Sequence, residues 1–140
     1  MLEFLQQFVL WLSNQGIIPR EVNDHDVGEE RENKTYLMNL PEDASNVVCV
    51  RQYNMKLASL VNKGACVRYI QIIVRNQVHS KAIMLSEQIY QFLKMRPEFI
   101  ENITPNLWVI IDCTNGPVKL DEDKQGRYQY SLSVPITTKS

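Results

Sequence analysis

The sequence predicts an α+β fold: two helices packed on a mainly antiparallel sheet of about five strands. Three observations predict it. First, Cys66–Met95 joins a β-branched and aromatic run (Tyr69, Ile70, Ile72, Ile73, Val74) to a stretch of helical period. Second, Ala82, Leu85, Ser86, Ile89, Phe92 and Leu93 of that stretch share one helix face. Third, Arg127–Pro135 alternates Tyr128, Tyr130, Leu132 and Val134 with Gln129, Ser131 and Ser133. Strict alternation marks a half-buried strand whose other face is wet or open to a partner.

A chain of 140 residues is most simply one domain, 1–140, with a core large enough to need neither metal nor disulfide. Its 15 basic and 16 acidic residues leave a net charge of -1, against the basic excess of a dedicated nucleic-acid binder. Cys49, Cys66 and Cys113 are odd in number and form no CxxC pair. They read as buried, reduced thiols in strands of an intracellular protein.

The first element is an amphipathic helix over residues 1–15, with Leu2, Leu5, Phe8, Val9 and Leu12 on one face and Gly16 as its C-terminal cap. Phe4 and Trp11 fall off that face; they extend the buried stripe, the preferred reading, or meet another chain. The run lacks a basic leader and a small-residue cleavage site, and it is too short to span a bilayer. Residues 20–34 form an acidic, solvated loop.

Residues 35–75 hold three strands. Tyr36–Leu40 ends at Pro41 and is close enough to Val47–Tyr53 for an antiparallel hairpin. Asn54–Gly64 is ambiguous, with Leu57, Leu60 and Val61 allowing a helical turn or two. Cys66–Arg75 is long enough for the middle of the sheet. The second helix spans residues 79–95 and stops before Pro97. Phe99 and Ile103 sit in a loop closed by Pro105. Residues 106–135 hold two strands, Leu107–Cys113 and Arg127–Pro135, joined through a charged loop, with Gly126 as a turn residue.

Catalytic and metal motifs are absent: no phosphate-cradling loop, dinucleotide fingerprint, HExxH or GxSxG occurs. Asp24, His25 and Asp26 are adjacent, but neighbouring side chains diverge and do not form a metal site. Asp121–Gly126 imitates the start of a calcium loop, yet the twelfth position is Leu132 where a bidentate Glu is required. His25 and His79 leave little for acid–base catalysis at neutral pH, and Asp112 reads as a strand-end residue. The expectation is therefore no catalytic residue, no metal and no cofactor.

YIQIIVRNQVHSKAIMLSEQIYQFL and, after LWVII, PVKLDEDKQGRYQYSLSVPI carry a resemblance. A strand ending in Arg75-Asn76 leads into a helix with Ala82 and Tyr90-Gln91-Phe92-Leu93. A loop with Pro117, an acidic turn at Asp121–Asp123, Gly126-Arg127 and a tyrosine-bearing last strand follow. This half resembles the minor capsid or tail-completion proteins of tailed bacteriophages of Gram-positive bacteria and of related tail-like particles. That family is similar in fold to tail terminators. The resemblance implies a structural virion protein at the head-proximal end of the tail, assembled in the host bacterial cytoplasm. It implies a ring, usually a hexamer, that ends tail-tube polymerisation and offers a docking surface to the head. Its partners would be further copies of itself, the tail tube protein and the head-completion or connector protein. DNA would only pass through the lumen, and no membrane is involved. The acidic residues Glu29, Glu30 and Glu32, or Asp121, Glu122 and Asp123, would suit a lumen or interface. Arg127 would pair with an acid across an interface or within the chain. Two other classes share the sequence features: a small non-catalytic bacterial interaction domain, and an enzyme with an acid site at Asp112, Asp121 or Glu122.

Overall fold

A computed structural model describes residues 2–19, 33–57, 65–94, 108–113, 115–120 and 125–139. In chain order it contains α1 (Leu2–Asn14), β1 (Lys34–Leu37), β2 (Val47–Leu57), β3 (Ala65–Asn76), α2 (His79–Lys94), β4 (Trp108–Ile111), β5 (Val118–Lys119) and β6 (Tyr128–Lys139). The strands form one sheet in the order β1-β2-β3-β6-β4, with β5 also on β6. The predicted α+β class holds, and the sheet is mostly antiparallel.

The period-two pattern decides which face carries the core. Val48 and Val50 of β2, Ile70, Ile72 and Val74 of β3, and Leu132, Val134 and Ile136 of β6 form one buried cluster with both helices. From α1 that cluster takes Leu5, Phe8, Val9 and Leu12 of the predicted stripe, the Leu2 side chain lying outside the described residues. Phe4 is buried as well, and Trp11 packs against the cluster, so both extend the stripe. Trp11 then meets Phe92 of α2 with ring centroids 5.3 Å apart, which links the two helices. From α2 the buried positions are Ala82, Ser86, Ile89 and Leu93.

Local chemistry sets the helix ends. Gly16 adopts φ +74°, its N–H donates to the Ser13 carbonyl, and the Ile17 N–H donates to the Leu12 carbonyl. This is a Schellman cap, which needs a left-handed residue at the Gly16 position. At the start of α2 the Asn76 side-chain oxygen accepts the Val78 N–H at 2.8 Å, closing an Asx turn.

Three expectations change. β1 is parallel to β2, with Lys34 opposite Val47 and Leu37 opposite Val50, and does not form an antiparallel hairpin. Met38 leaves the strand at φ +67°, and residues 38–46 carry the chain back to the start of β2. A return that short suffices because β1 has only four residues. The ambiguous segment begins as strand: after a register shift between Gln52 and Asn54, β2 continues to Leu57 opposite Cys66. Residues 58–64 lie outside the described residues. β5 adds a sixth strand where a charged loop was expected.

β6 also runs four residues beyond Pro135, to Lys139. A proline tolerates this position because a strand residue points its N and O the same way. The Pro135 carbonyl accepts the Asp112 N–H at 2.9 Å, so its nitrogen also faces the β4 side. There it lies between the end of β5 pairing at Ser131 and the start of β4 pairing at Ile136. No ladder bond to β3 is lost.

No helix among the described residues is long and apolar enough to cross a membrane. Among the described residues no three His, Cys, Asp or Glu side chains come together to hold a metal.

Ile72 is fully buried at the centre of β3, whereas Val118 of β5 is 61% exposed. Ile72→Ala should cost about 3 kcal/mol in urea unfolding, and Val118→Ala less than about 0.5 kcal/mol. Equal costs at the two positions would contradict this assignment of the core.

Candidate assembly interface

One end of the sheet gathers the starts of β1, β2 and β6 and the end of β3, since Lys34 pairs with Val47, Val47 with Arg75, and Asn76 with Tyr128. Of the predicted site residues, Glu29, Glu30, Glu32, Asp121, Glu122 and Asp123 lie outside the described residues, as do Asp24, His25, Asp26, Phe99, Ile103 and Pro105. In sequence the first acidic group immediately precedes Asn33. The second falls between Leu120 and Gln125. Leu120 is anchored beside β6, its N–H donating to the Gln129 carbonyl at 2.8 Å. The described residues next to these two groups, Asn33 and Leu120, thus lie at this same end. The exposed Glu42 and Asp43 add an acidic pair to it.

Arg127 is the predicted site residue that the structure describes. It is only 4% exposed. Its Nη1 donates to the Glu42 carbonyl at 2.8 Å and the Ala44 carbonyl at 3.0 Å. Arg75, at the end of β3, is equally buried, and its Nη1 donates to the Pro41 carbonyl at 2.6 Å and to Ala44 at 3.1 Å. Two guanidinium groups therefore converge on the Ala44 oxygen. Carbonyl dipoles of a tight turn are good partners for buried cations, because they bring no side-chain entropy to be lost.

Asparagines complete the network. Asn33 Nδ2 donates to the Val47 and Arg75 carbonyls at 2.8 and 3.0 Å, and Asn76 Nδ2 donates to Asn33 Oδ1 at 2.6 Å. Asn46 accepts twice: its backbone oxygen takes the Lys34 N–H at 3.1 Å, and its side-chain oxygen takes the Gln77 N–H at 3.2 Å. Lys34, Tyr36, Asp43, Asn46 and Gln77 line a polar cleft of about 270 Å³ beside this network.

Next to it, the His79 ring stacks on Tyr128 at 4.4 Å, and its Nε2 shares a hydrogen bond with the Tyr130 hydroxyl at 2.7 Å. This ties the first residue of α2 to β6. Further along, on the sheet face away from the helices, Arg51 Nε donates to Gln71 Oε1 at 2.7 Å and Gln71 Nε2 to Ser131 at 2.8 Å. The exposed Tyr53 lies against Tyr69 on that side, with ring centroids 6.0 Å apart.

The thiols are unpaired, with Cys49 and Cys113 buried and Cys66 half-buried. Burial pushes the Cys113 thiol up to about 11, helped by the neighbouring Asp112 carboxylate, and burial also raises Cys49. Such thiols stay protonated and poorly nucleophilic at neutral pH. Asp112 is exposed just beyond β4.

Sequence reasoning gave no network role to Arg75, Asn33 or Asn46. A signal existed for Arg75: a charged residue directly follows the apolar run Ile72–Val74. Arg127→Met should lower the unfolding free energy by about 1–3 kcal/mol, because the Glu42 carbonyl loses a donor. A loss within error in urea unfolding would contradict the network described here.

The profile of the family described as bacteriophage tail terminator protein matches residues 12–139. Comparison with curated proteins finds no match. The family is structural and non-catalytic, which accords with a site built of carbonyls, amides and buried cations. The chain belongs to the bacteriophage tail terminator family, a structural component of the virion tail.

Proposed function

We propose that the protein forms a ring, usually a hexamer, at the head-proximal end of the tail. There it ends tail-tube polymerisation and presents the surface on which the head docks. The observation that carries this reading is the family match over residues 12–139. The fold supports it physically. A terminator needs rigid, shape-specific surfaces and no reacting groups, and heterologous contacts that close on themselves. The clasped end of the sheet is rigid in that sense, and the sheet face away from the helices carries polar and aromatic side chains suited to contact.

Its partners are further copies of itself, the tail tube protein and the head-completion or connector protein. DNA passes through the lumen without being bound. Acidic residues suit that passage, since a basic lining would retain the phosphate backbone. Glu29, Glu30, Glu32, Asp121, Glu122 and Asp123 are the proposed lumen or interface residues. Arg127 supports that end from within. The particle is a phage or phage-tail-like assembly of a Gram-positive host, built in the host cytoplasm.

Light scattering after size exclusion, over a concentration series and with purified tail tubes added, tests this. The expected result is a species of about six subunits, or binding confined to tube ends. A monomer that leaves tube ends bare at every concentration would overturn the proposal.

A further inference from the structure

From mid-sheet toward the end opposite the clasp lie unmet hydrogen-bond donors, with Gln52 opposite Ile70 and Arg68 opposite Met55. Arg68 and Gln52 face the helices there, beside the start of α1, with the Arg68 guanidinium 4.9 Å from the Phe4 ring centroid. Among the described residues Arg68 makes only long polar contacts: Nη1 to Gln52 Oε1 and Nε to Thr138 Oγ1, both 3.4 Å. Neither partner is a carboxylate. Gln52 is 6% exposed, and its Nε2 has no hydrogen-bond partner among the described residues. The amide cannot simply be reversed, because its oxygen is the group that accepts from Arg68. A buried, unpaired amide donor beside a weakly used guanidinium is complementary to one chemical group, a carboxylate.

We propose that this nook receives the Glu42–Asp43 turn of a second copy of the chain, making a head-to-tail contact. The inference rests on the ring reading above and names its contact. Three observations select this occupant. Glu42 and Asp43 are exposed carboxylates. Their turn is held from inside by Arg75 and Arg127 through the Pro41, Glu42 and Ala44 carbonyls, so docking orders little. The turn lies at the Arg75 end of β3, and the nook spans Arg68 and Gln52, the latter opposite Ile70 at mid-strand, roughly 17–23 Å away by strand rise. One subunit thus presents acid at one site and unmet donors at another well separated from it, as a heterologous ring contact requires. One carboxylate oxygen takes Arg68 and the other takes Gln52 Nε2.

A charge exchange tests the contact in the full chain. Arg68→Glu alone, and Glu42→Arg with Asp43→Arg, should each raise the midpoint concentration of self-association about tenfold or more, read by light scattering. An equimolar mixture of the two variants should restore assembly, because each supplies the end that the other lacks. Gln52→Met separates binding from folding. It should keep or raise the thermal midpoint of the monomer, since a buried orphan donor is gone, while weakening association about tenfold. Arg68→Glu assembling like the native chain, or folded variants that fail to complement on mixing, would overturn the contact and leave the ring standing. A native chain that stays monomeric and ignores tube ends would overturn both.

Discussion

Two buried guanidinium groups donating to one carbonyl oxygen, that of Ala44, are the constraint on which the rest of this end depends. Arg75 comes from the end of β3 and Arg127 from the approach to β6. These are neighbouring strands, so the loop between β1 and β2 is tied across the sheet to elements far from it in sequence. Holding 38–46 in place aligns β1 parallel to β2 and brings Asn46 over the Lys34 and Gln77 amides. Asn76 then links Asn33 to the first turn of α2. A polar network of this kind contributes modestly to net stability. Its members are costly to remove singly, because each leaves a buried partner unmet.

The sheet thus does two different jobs on its two faces. The face toward the helices is an ordinary apolar core, with Phe8, Ile70, Ile72, Leu132 and Ile136 at its centre. The other face is polar along Arg51, Gln71 and Ser131. A structural tail component has use for both. The core stiffens the fold, and the polar face and sheet ends offer directional hydrogen-bonding groups. The tail terminator family is structural and non-catalytic.

Much of the fold was legible in the residues, and the exceptions have physical reasons. A β-branched and aromatic run placed β3, and periods 3.6 and two placed α2 and β6, because each of those two buries one face against the same core. The direction of β1 was not legible: a four-residue strand and a short return fit a hairpin as well as a parallel pair. What decides between them is Arg75, distant in sequence. β2 past Tyr53 was obscured because an irregularity there breaks the alternation on which strand recognition relies. Arg127 was picked out as a charged contact residue, but whether its side chain points outward or into the loop depends on the Ala44 carbonyl. The acidic groups were legible as sequence, and the strand order shows that the segments next to them share one end. Gln52 and Arg68 gave no signal, since an unmet donor exists only once the surrounding chain has folded.

The account rests on an end of the sheet that is already ordered in the free chain, before any partner arrives. Native-state amide hydrogen exchange on the isolated protein measures this directly. The amides of Lys34, Met38 and Gln77, which donate to Asn46, Val50 and the Asn46 side chain, should exchange as slowly as the central amides of β3. Exchange of those three at the rate of an unstructured peptide, with β3 still protected, would contradict a preformed interface.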